Sequence, residues 1–371
     1  MAAERTETLV DRVAETLEER ALAGADTPVL LMVSGGSDST ALAYVASELR
    51  ERGALGQLAM LHVNHQLRGD DADDDARFVA RLAELLNIPL FSCDIDLAGE
   101  ARRTGENVEA VARRERYLAA NEALESLCLH AAAPLADGRI LTAHTSDDRV
   151  ESFYMRSIVG TGPGGFRAMK YRNGPVVRPL LDVSREELRA YIAEREQTEA
   201  PVACDGAGNL WREDATNAHT DRFRAYVRHE IVPRAKERNP QLLEVLGRTM
   251  NLIADEDDML ERMVDKLMAD RVEALGDGYG AGCVLAPGFG AEPLPLRRRA
   301  VLRALQLMLG RDARVETASV EAVLAAFDDE QGGKPRGGYV TNIQGDLAVS
   351  ANKHGVRIEP MAAYRVRRKR G

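Results

Sequence analysis

The stretch Val33-Ser34-Gly35-Gly36-Ser37-Asp38-Ser39-Thr40 decides the fold. Before it runs an apolar segment, Pro28 to Met32, that reads as a buried parallel strand. After it, Leu42, Val45, Ala46 and Leu49 recur at helical spacing. A strand, a glycine turn and a helix aim backbone N–H groups and the positive helix end at an anion. Gly35 and Gly36 can take backbone angles that other residues resist, and without side chains they let phosphate oxygens come close. Ser34, Ser37 and Ser39 add hydroxyl donors. Asp38 would repel phosphate unless a cation stood between them, which points to Mg2+.

The lysine that closes the common G-x-x-x-x-G-K-S/T phosphate loop is absent. Ser-Gly-Gly-Ser-Asp-Ser instead resembles the pyrophosphate loop of the ATP pyrophosphatases, which cleave ATP to AMP and pyrophosphate while adenylating a substrate. An ordinary glycine turn is the competing reading, and the specificity of this string at a strand end sets it aside.

Outward from the loop, strands alternate with helices. Leu9, Val13 and Leu17 mark a first helix, and Leu58 to Val63 a second strand ending in His62-Val63-Asn64-His65-Gln66-Leu67-Arg68-Gly69. The acidic run Asp70 to Asp75 suits the first turn of a helix bearing Phe78, Val79, Leu82, Leu85 and Leu86. Further strands are expected over Pro89 to Ile95 and Arg139 to Ala143, and helices over Val108 to Leu127 and Ser146 to Val159. This alternation predicts an α/β fold, a doubly wound parallel sheet covered on both faces, with ligands gathered at the carboxyl ends of the strands. The polar clusters after Val33, Val63 and Ala143 then converge on one crevice. Gly160-Thr161-Gly162-Pro163-Gly164-Gly165 fits the spacing G-x-G-x-x-G but follows a helix and holds a proline, so it reads as a loop over the site and not as a dinucleotide fingerprint.

Composition narrows the class. The chain has 371 residues, 45% hydrophobic and 29% charged, with a net charge of −10, as expected of a globular protein of two or three domains. No apolar run approaches the ~20 residues of a membrane span, and the acidic, amphipathic first twenty residues do not read as a signal peptide. Cys93, Cys128, Cys204 and Cys283 form no C-x-x-C pair, which argues against a zinc ribbon, an iron–sulfur cluster and a disulfide framework. A cytoplasmic protein without membrane contact is expected. With so acidic a total, RNA binding would have to come from local basic surface.

Other clusters carry candidate chemistry. In His144-Thr145-Ser146-Asp147-Asp148-Arg149-Val150-Glu151 three acids share one helical turn. A helix cap would explain one of them; a Mg2+ site or a pocket for a cationic substrate would explain the set. His144 is placed to contact phosphate or donate a proton. Arg113 and Arg116 stand three apart in Asn107 to Tyr117 and are suited to phosphate, although pairing with Glu109 and Glu115 is the simpler reading. Ser184 and Glu187 form a capping box. From Trp211 the strands give way to long helical patterns (Leu242 to Val272, Leu296 to Leu309, Val320 to Phe327), with a small β-element from Gln331 to Ile358. Arg222, Phe223, Arg224, Tyr226, Arg228, His229, Arg234, Lys236 and Arg238 interleave cations with aromatics, as RNA backbone and unstacked bases require. Arg297, Arg298, Arg299, Arg303 and the basic run Arg365 to Arg370 add candidate positive surface; a solvated charged face is the alternative for all of these.

Taken together, V-S-G-G-S-D-S-T (33–40), H-V-N-H-Q-L-R-G (62–69), N-V-E-A-V-A-R-R-E-R-Y (107–117), T-A-H-T-S-D-D-R-V-E-S (142–152), R-P-L-L-D-V-S-R (178–185) and W-R-E-D-A-T-N (211–217) resemble the tRNA(Ile)-lysidine synthase family in order and spacing, from about Pro28 to about Asp258. The resemblance implies ATP-dependent ligation of free L-lysine to C2 of the wobble cytidine of a CAU-anticodon tRNA(Ile), through an adenylated cytidine. It implies that Ser34, Gly35, Gly36, Ser37, Asp38, Ser39, His65 and His144 bind ATP, with Mg2+ at Asp38. Asp38, Arg113, Asp147, Asp148 and Glu151 are the implied catalytic residues, and Arg222, Arg224 and Arg228 the implied RNA contacts. The domains expected are an ATP-binding catalytic domain over 1–214, a basic connector over 215–240 and a mainly helical tRNA-binding domain over 241–371.

The sequence departs from the family's pattern in places. Thr145 replaces a usual His, Arg149 a Gln and Ser152 a Thr, and Arg224-Ala225 stands where the family has Arg-Asn. The chain also reads as too short for the full C-terminal domain of longer members. A cytidine thiolase of the same loop class and a non-catalytic, nucleotide-sensing RNA-binding protein are the rival readings. The oligomeric state is left open, a homodimer included.

Overall fold

The computed structural model describes residues 7–64, 70–213, 222–310 and 313–370, which fall into two compact units, Met1–Ala254 and Asp255–Gly371. The first contains, in chain order, α1 (Leu9–Glu19), β1 (Val29–Met32), α2 (Ser37–Glu51), β2 (Leu58–Asn64), α3 (Asp70–Leu85), β3 (Leu90–Asp94), α4 (Leu97–Thr104), α5 (Val108–His130), β4 (Arg139–Leu141), α6 (Ser146–Val159), β5 (Arg172–Asn173), β6 (Val176–Val177), α7 (Arg185–Gln197), α8 (Arg222–Tyr226) and α9 (Val232–Arg238). A π-helical turn, Val227–Ile231, joins the last two.

The strand order is β3-β2-β1-β4-β6-β5. All neighbours are parallel except the edge pair β5 and β6. Val29 and Leu31 of β1 belong to the core under α1, α2, α3 and α7, while Leu30 between them packs with Ala120, Leu124 and Leu127 of α5 on the other face. That alternation is the period of a strand covered on both sides, and it explains why β1 reads as an unbroken apolar run. The sheet changes direction between β1 and β4, whose carboxyl ends carry the residues after Val33 and Ala143.

Sequence reading locates β1 to β4, α5 and α6 within three residues at their ends. It does not anticipate α4, which runs from an Asp96 cap to Gly105 in the left-handed region at φ +70°, nor the two-residue strands β5 and β6. Residues 222–254, expected as a connector and the start of the second domain, group with the first unit.

A long helix, α10 (Leu242–Arg271), leads into the second unit. There follow β7 (Val272–Ala274), β8 (Cys283–Leu285), α11 (Leu294–Leu309), α12 (Thr317–Leu324), β9 (Phe327–Asp328), β10 (Lys334–Pro335), β11 (Val340–Ile343), β12 (Leu347–Asn352), β13 (Gly355–Pro360) and α13 (Met361–Arg370). Helices predominate, as expected. The β-element is larger than its sequence signal, because β11, β12 and β13 extend through β8 and β7 into a five-stranded antiparallel sheet. No helix among the described residues is long and apolar enough to cross a membrane.

Candidate active site

The loop after β1 is built for close approach at a helix end. Val33 donates its N–H to the Leu61 carbonyl at 2.9 Å, so the strand holds its partner up to the turn. Gly35 lies at φ +92°, where a side chain would strain the backbone; Gly36, the cap of α2, sits at φ −69° and ψ 162°, angles open to any residue. Of the two glycines, then, only Gly35 uses its conformational freedom. No side-chain hydrogen bond caps α2 at Gly36, which leaves the N–H groups of its first turn suited to an anion. The serines hold the turn's shape. Ser39 Oγ accepts from the Ser34 N–H at 3.2 Å and donates to the Gly36 carbonyl at 3.1 Å. Ser37 Oγ donates to Asp38 Oδ1 at 3.0 Å.

A segment remote in sequence closes over this turn. Arg212 donates its backbone N–H to the Gly35 carbonyl at 2.9 Å, and its side chain reaches Asp75 and Asp205 at 2.8 and 3.0 Å. Arg189 stacks on Trp211 at 5.6 Å and reaches Ser37 Oγ at 3.4 Å.

The acids of α6 divide their work. Asp148 Oδ2 accepts from the Thr145 N–H and Oγ1 at 2.9 and 3.0 Å, completing a capping box. Its other oxygen faces Arg185 Nη2 at 3.3 Å and Arg224 Nη2 at 3.2 Å. Glu151, 2% exposed, receives Arg224 Nε at 2.8 Å and Arg228 Nε at 2.6 Å. Asp147 accepts from the Arg185 N–H at 2.9 Å and from Lys236 Nζ at 3.3 Å. Arg185 also donates Nε to Asp38 Oδ2 at 3.0 Å, so one guanidinium links the glycine loop to the acidic helix start.

Protonation follows from these contacts. Burial alone would raise Asp148, but Arg185 and Arg224 more than offset it and hold the carboxyl below its usual range. Burial raises Asp38, an effect that Arg185 opposes without cancelling. The same carboxylates hold Arg185 firmly charged, outweighing its own burial. Burial lowers His144 to about 4, so its imidazole is neutral at pH 7; Nδ1 is 2.9 Å from Thr142 Oγ1.

Arg113 lies against the Tyr117 ring at 5.3 Å. Burial lowers the pKa of Arg116 and of Arg178, and the charge of Arg113 lowers both further, so these three cations are neighbours. Such crowding of like charge suits a polyanion. The loop serines, Asp38, Asp147, Asp148, Glu151, Arg224 and Arg228 are thus brought together through Arg185. Arg222 opens α8, and its side chain is not among those described; His65 lies outside the described residues. Asp38 offers a single carboxylate, and among the described residues no three His, Cys, Asp or Glu side chains converge as a metal site. That donor set fits Mg2+ only as an ion taking most of its ligands from phosphate and water.

Sequence reasoning missed Arg185, which it quoted only as the last residue of the motif over 178–185, and Lys236, which it counted among the candidate RNA contacts. It also noted Arg149 only as a departure. Fully buried, Arg149 donates to Asp182 Oδ1 at 2.8 Å and Asn251 Oδ1 at 2.9 Å, and lies 5.3 Å from the centre of the Tyr171 ring. It ties the acidic turn of α6 to the segment that ends in Arg185.

The PP-loop domain family matches residues 6–235. The tRNA(Ile)-lysidine synthase of Thermus thermophilus is 36% identical over 298 residues, covering 80% of this chain and 52% of that protein. That of Porphyromonas gingivalis is 37% identical over 243 residues, covering 65% and 48%. The chain therefore spans about half the length of these curated relatives. Among solved structures, the U34-tRNA thiolase NcsA of Methanococcus maripaludis with its 4Fe-4S cluster aligns with a TM-score of 0.49 at 17% identity, over 66% of this chain and 77% of that one.

Proposed function

The chain belongs to the PP-loop domain family, and from that membership we propose that it is an ATP-dependent ligase joining lysine to C2 of the wobble cytidine in a CAU-anticodon isoleucine tRNA. One observation carries the reading: Arg185 reaches both Asp38 of the phosphate loop and Asp148 of the acidic helix start, at 3.0 and 3.3 Å. A receptor for polyphosphate and a receptor for an ammonium group lie within one side chain's span. A reaction that couples adenylation to amine attack needs that proximity. The lysidine synthases among its relatives support the choice of substrates.

In this reaction the cytidine O2 attacks the α-phosphate of ATP, forming an O–P bond as pyrophosphate leaves. The lysine ammonium gives up a proton to water, and the free amine then attacks C2; the C–N bond forms, the C–O bond breaks, and AMP departs with the oxygen. The α2 N-terminus and the turn at Gly35 hold the phosphates. A Mg2+ at Asp38, when bound, supplies screening of phosphate charge. Arg113, with Arg116 and Arg178, offsets charge developing at the α-phosphate. His144, being neutral, serves as a hydrogen-bond partner and not as a cation.

Asp147, Asp148 and Glu151 receive the lysine ammonium. Asp148, held below its usual range, is matched to binding that charge and poorly matched to taking its proton. The chain's own Arg224, Arg228 and Lys236 pair with Glu151 and Asp147. RNA phosphates arriving at Arg224 and Arg228 would draw them off and free Glu151 for lysine.

The test is incubation of the protein with CAU tRNA(Ile), ATP and labelled lysine, followed by mass analysis of the nucleosides. Lysidine and stoichiometric AMP are expected, and Asp38→Ala should abolish both while leaving the circular dichroism spectrum unchanged. A thiolated cytidine, or no change in nucleoside mass, would defeat the reading.

A further inference from the structure

The basic residues that sequence singles out in the second unit prove unequal. On α11, Arg298 pairs with Glu321 at 3.0 Å and Arg299 with Asp257 and Glu261 at 2.6 and 2.9 Å, while Arg303 pairs with Glu261 and Asp265. Arg297 is only 5% exposed. These cations are neutralised or buried, and α11 presents little net positive surface.

The ten-residue helix α13 differs, having no acidic residue and five cations in Met361-Ala-Ala-Tyr-Arg-Val-Arg-Arg-Lys-Arg370. Arg367 points inward. Its Nε and Nη2 donate to Glu359 Oε1 at 2.9 and 2.6 Å and Nη2 reaches Ser350 Oγ at 3.2 Å, with Glu359 itself 3% exposed. That anchor fixes the helix against β12 and β13. Arg365, Arg368 and Lys369 are exposed, and among the described residues none of the three has an ion-pair partner. Arg368 and Lys369 lie three and four residues beyond Arg365 and flank it on the helix surface, so the three make one broad stripe about 6 Å long.

We propose that this stripe on α13 docks the phosphate backbone of the RNA substrate, a role that rests on the function proposed above. Charge complementarity selects the partner: three unpaired cations on a rigid helix suit a row of phosphates. An anionic lipid surface is a poorer match, because Met361 and Tyr364 are half-buried and only Val366 of the apolar residues beyond alanine is exposed.

The experiment compares the full chain with its Arg365→Ala/Arg368→Ala/Lys369→Ala variant, following CAU tRNA(Ile) binding by fluorescence anisotropy across a KCl series. Each lost phosphate contact should reduce the slope of log affinity against log salt by roughly 0.7 to 0.9, so the variant's slope should be shallower by about 2 to 3. Its KM for tRNA should rise roughly tenfold or more with kcat at saturating tRNA unchanged. Arg365→Lys/Arg368→Lys should restore the slope, since point charge and not guanidinium geometry is required. An unchanged slope in the alanine variant would overturn the proposal, as would unaltered tRNA affinity combined with lost binding to phosphatidylserine vesicles. If the parent chain binds tRNA with the expected slope difference but forms no lysidine, the ligase reading falls and the docking surface stands.

Discussion

Arg185 is the side chain on which the site's electrostatics turn. It neutralises Asp38 and Asp148, whose charges otherwise oppose one another. Arg185→Ala should therefore push both carboxyls upward, move the acid limb of the kcat/KM profile to higher pH, and lower kcat/KM at pH 7 on the order of 100-fold. Arg185→Lys should recover only part of that, because an ammonium cannot reach two carboxylates through separate nitrogens of one planar fork. An acid limb that stays in place in Arg185→Ala would show that the carboxylates do not depend on this guanidinium. His144 makes a second prediction. Its pKa falls from 6.5 to about 4 by burial, so the unfolded chain binds the extra proton between those values. Its contribution to stability is intact above pH 6.5 and is lost as pH falls towards 4. Urea midpoints of His144→Gln should depend less steeply on pH across that window than those of the parent chain; equal slopes would exclude His144 as the titrating group.

At the scale of elements, readability followed the range of the signal. The β1–turn–α2 unit was readable because an apolar run, two glycines and a helical stripe are all local. The capping box at Ser184 and Glu187 lies three residues wide and was equally plain. The acidic turn of α6 was visible as a set of carboxylates but not in its purpose. Its partners Arg185, Arg224, Arg228 and Lys236 lie 37, 76, 77 and 89 positions away along the chain, and no local pattern encodes those pairs. Arg149 was readable only as a departure, since nothing adjacent announces that its guanidinium will meet Asp182 and Asn251. The short strands were missed for a different reason. β5 and β6 have two residues each and β7 and β8 three, too few to display a period of two. Their pairing is set by neighbours in the sheet and not by their own composition.

The molecule as a whole has more than one apolar centre, and this has consequences for how it unfolds. The sheet of the first unit is buried by residues from Val10 to Ala203, whereas the second unit closes over a separate set from Val264 to Ile358. Within that second set Phe289 is fully buried and packs on Phe327 with ring centres 5.5 Å apart. Phe289→Ala should cost the second unit about 3 to 5 kcal/mol, a large fraction of the ~5 to 15 kcal/mol that holds a typical domain together. The phosphate loop and the acidic turn of α6 belong to the first unit, so a bound ATP analogue should raise the melting temperature of that unit through mass action. Calorimetry of the full chain should then resolve a transition raised by the nucleotide and another lowered by Phe289→Ala, each insensitive to the other perturbation. A single transition displaced by both would mean that the two cores melt as one cooperative body, and that the second unit's integrity is a condition of nucleotide binding.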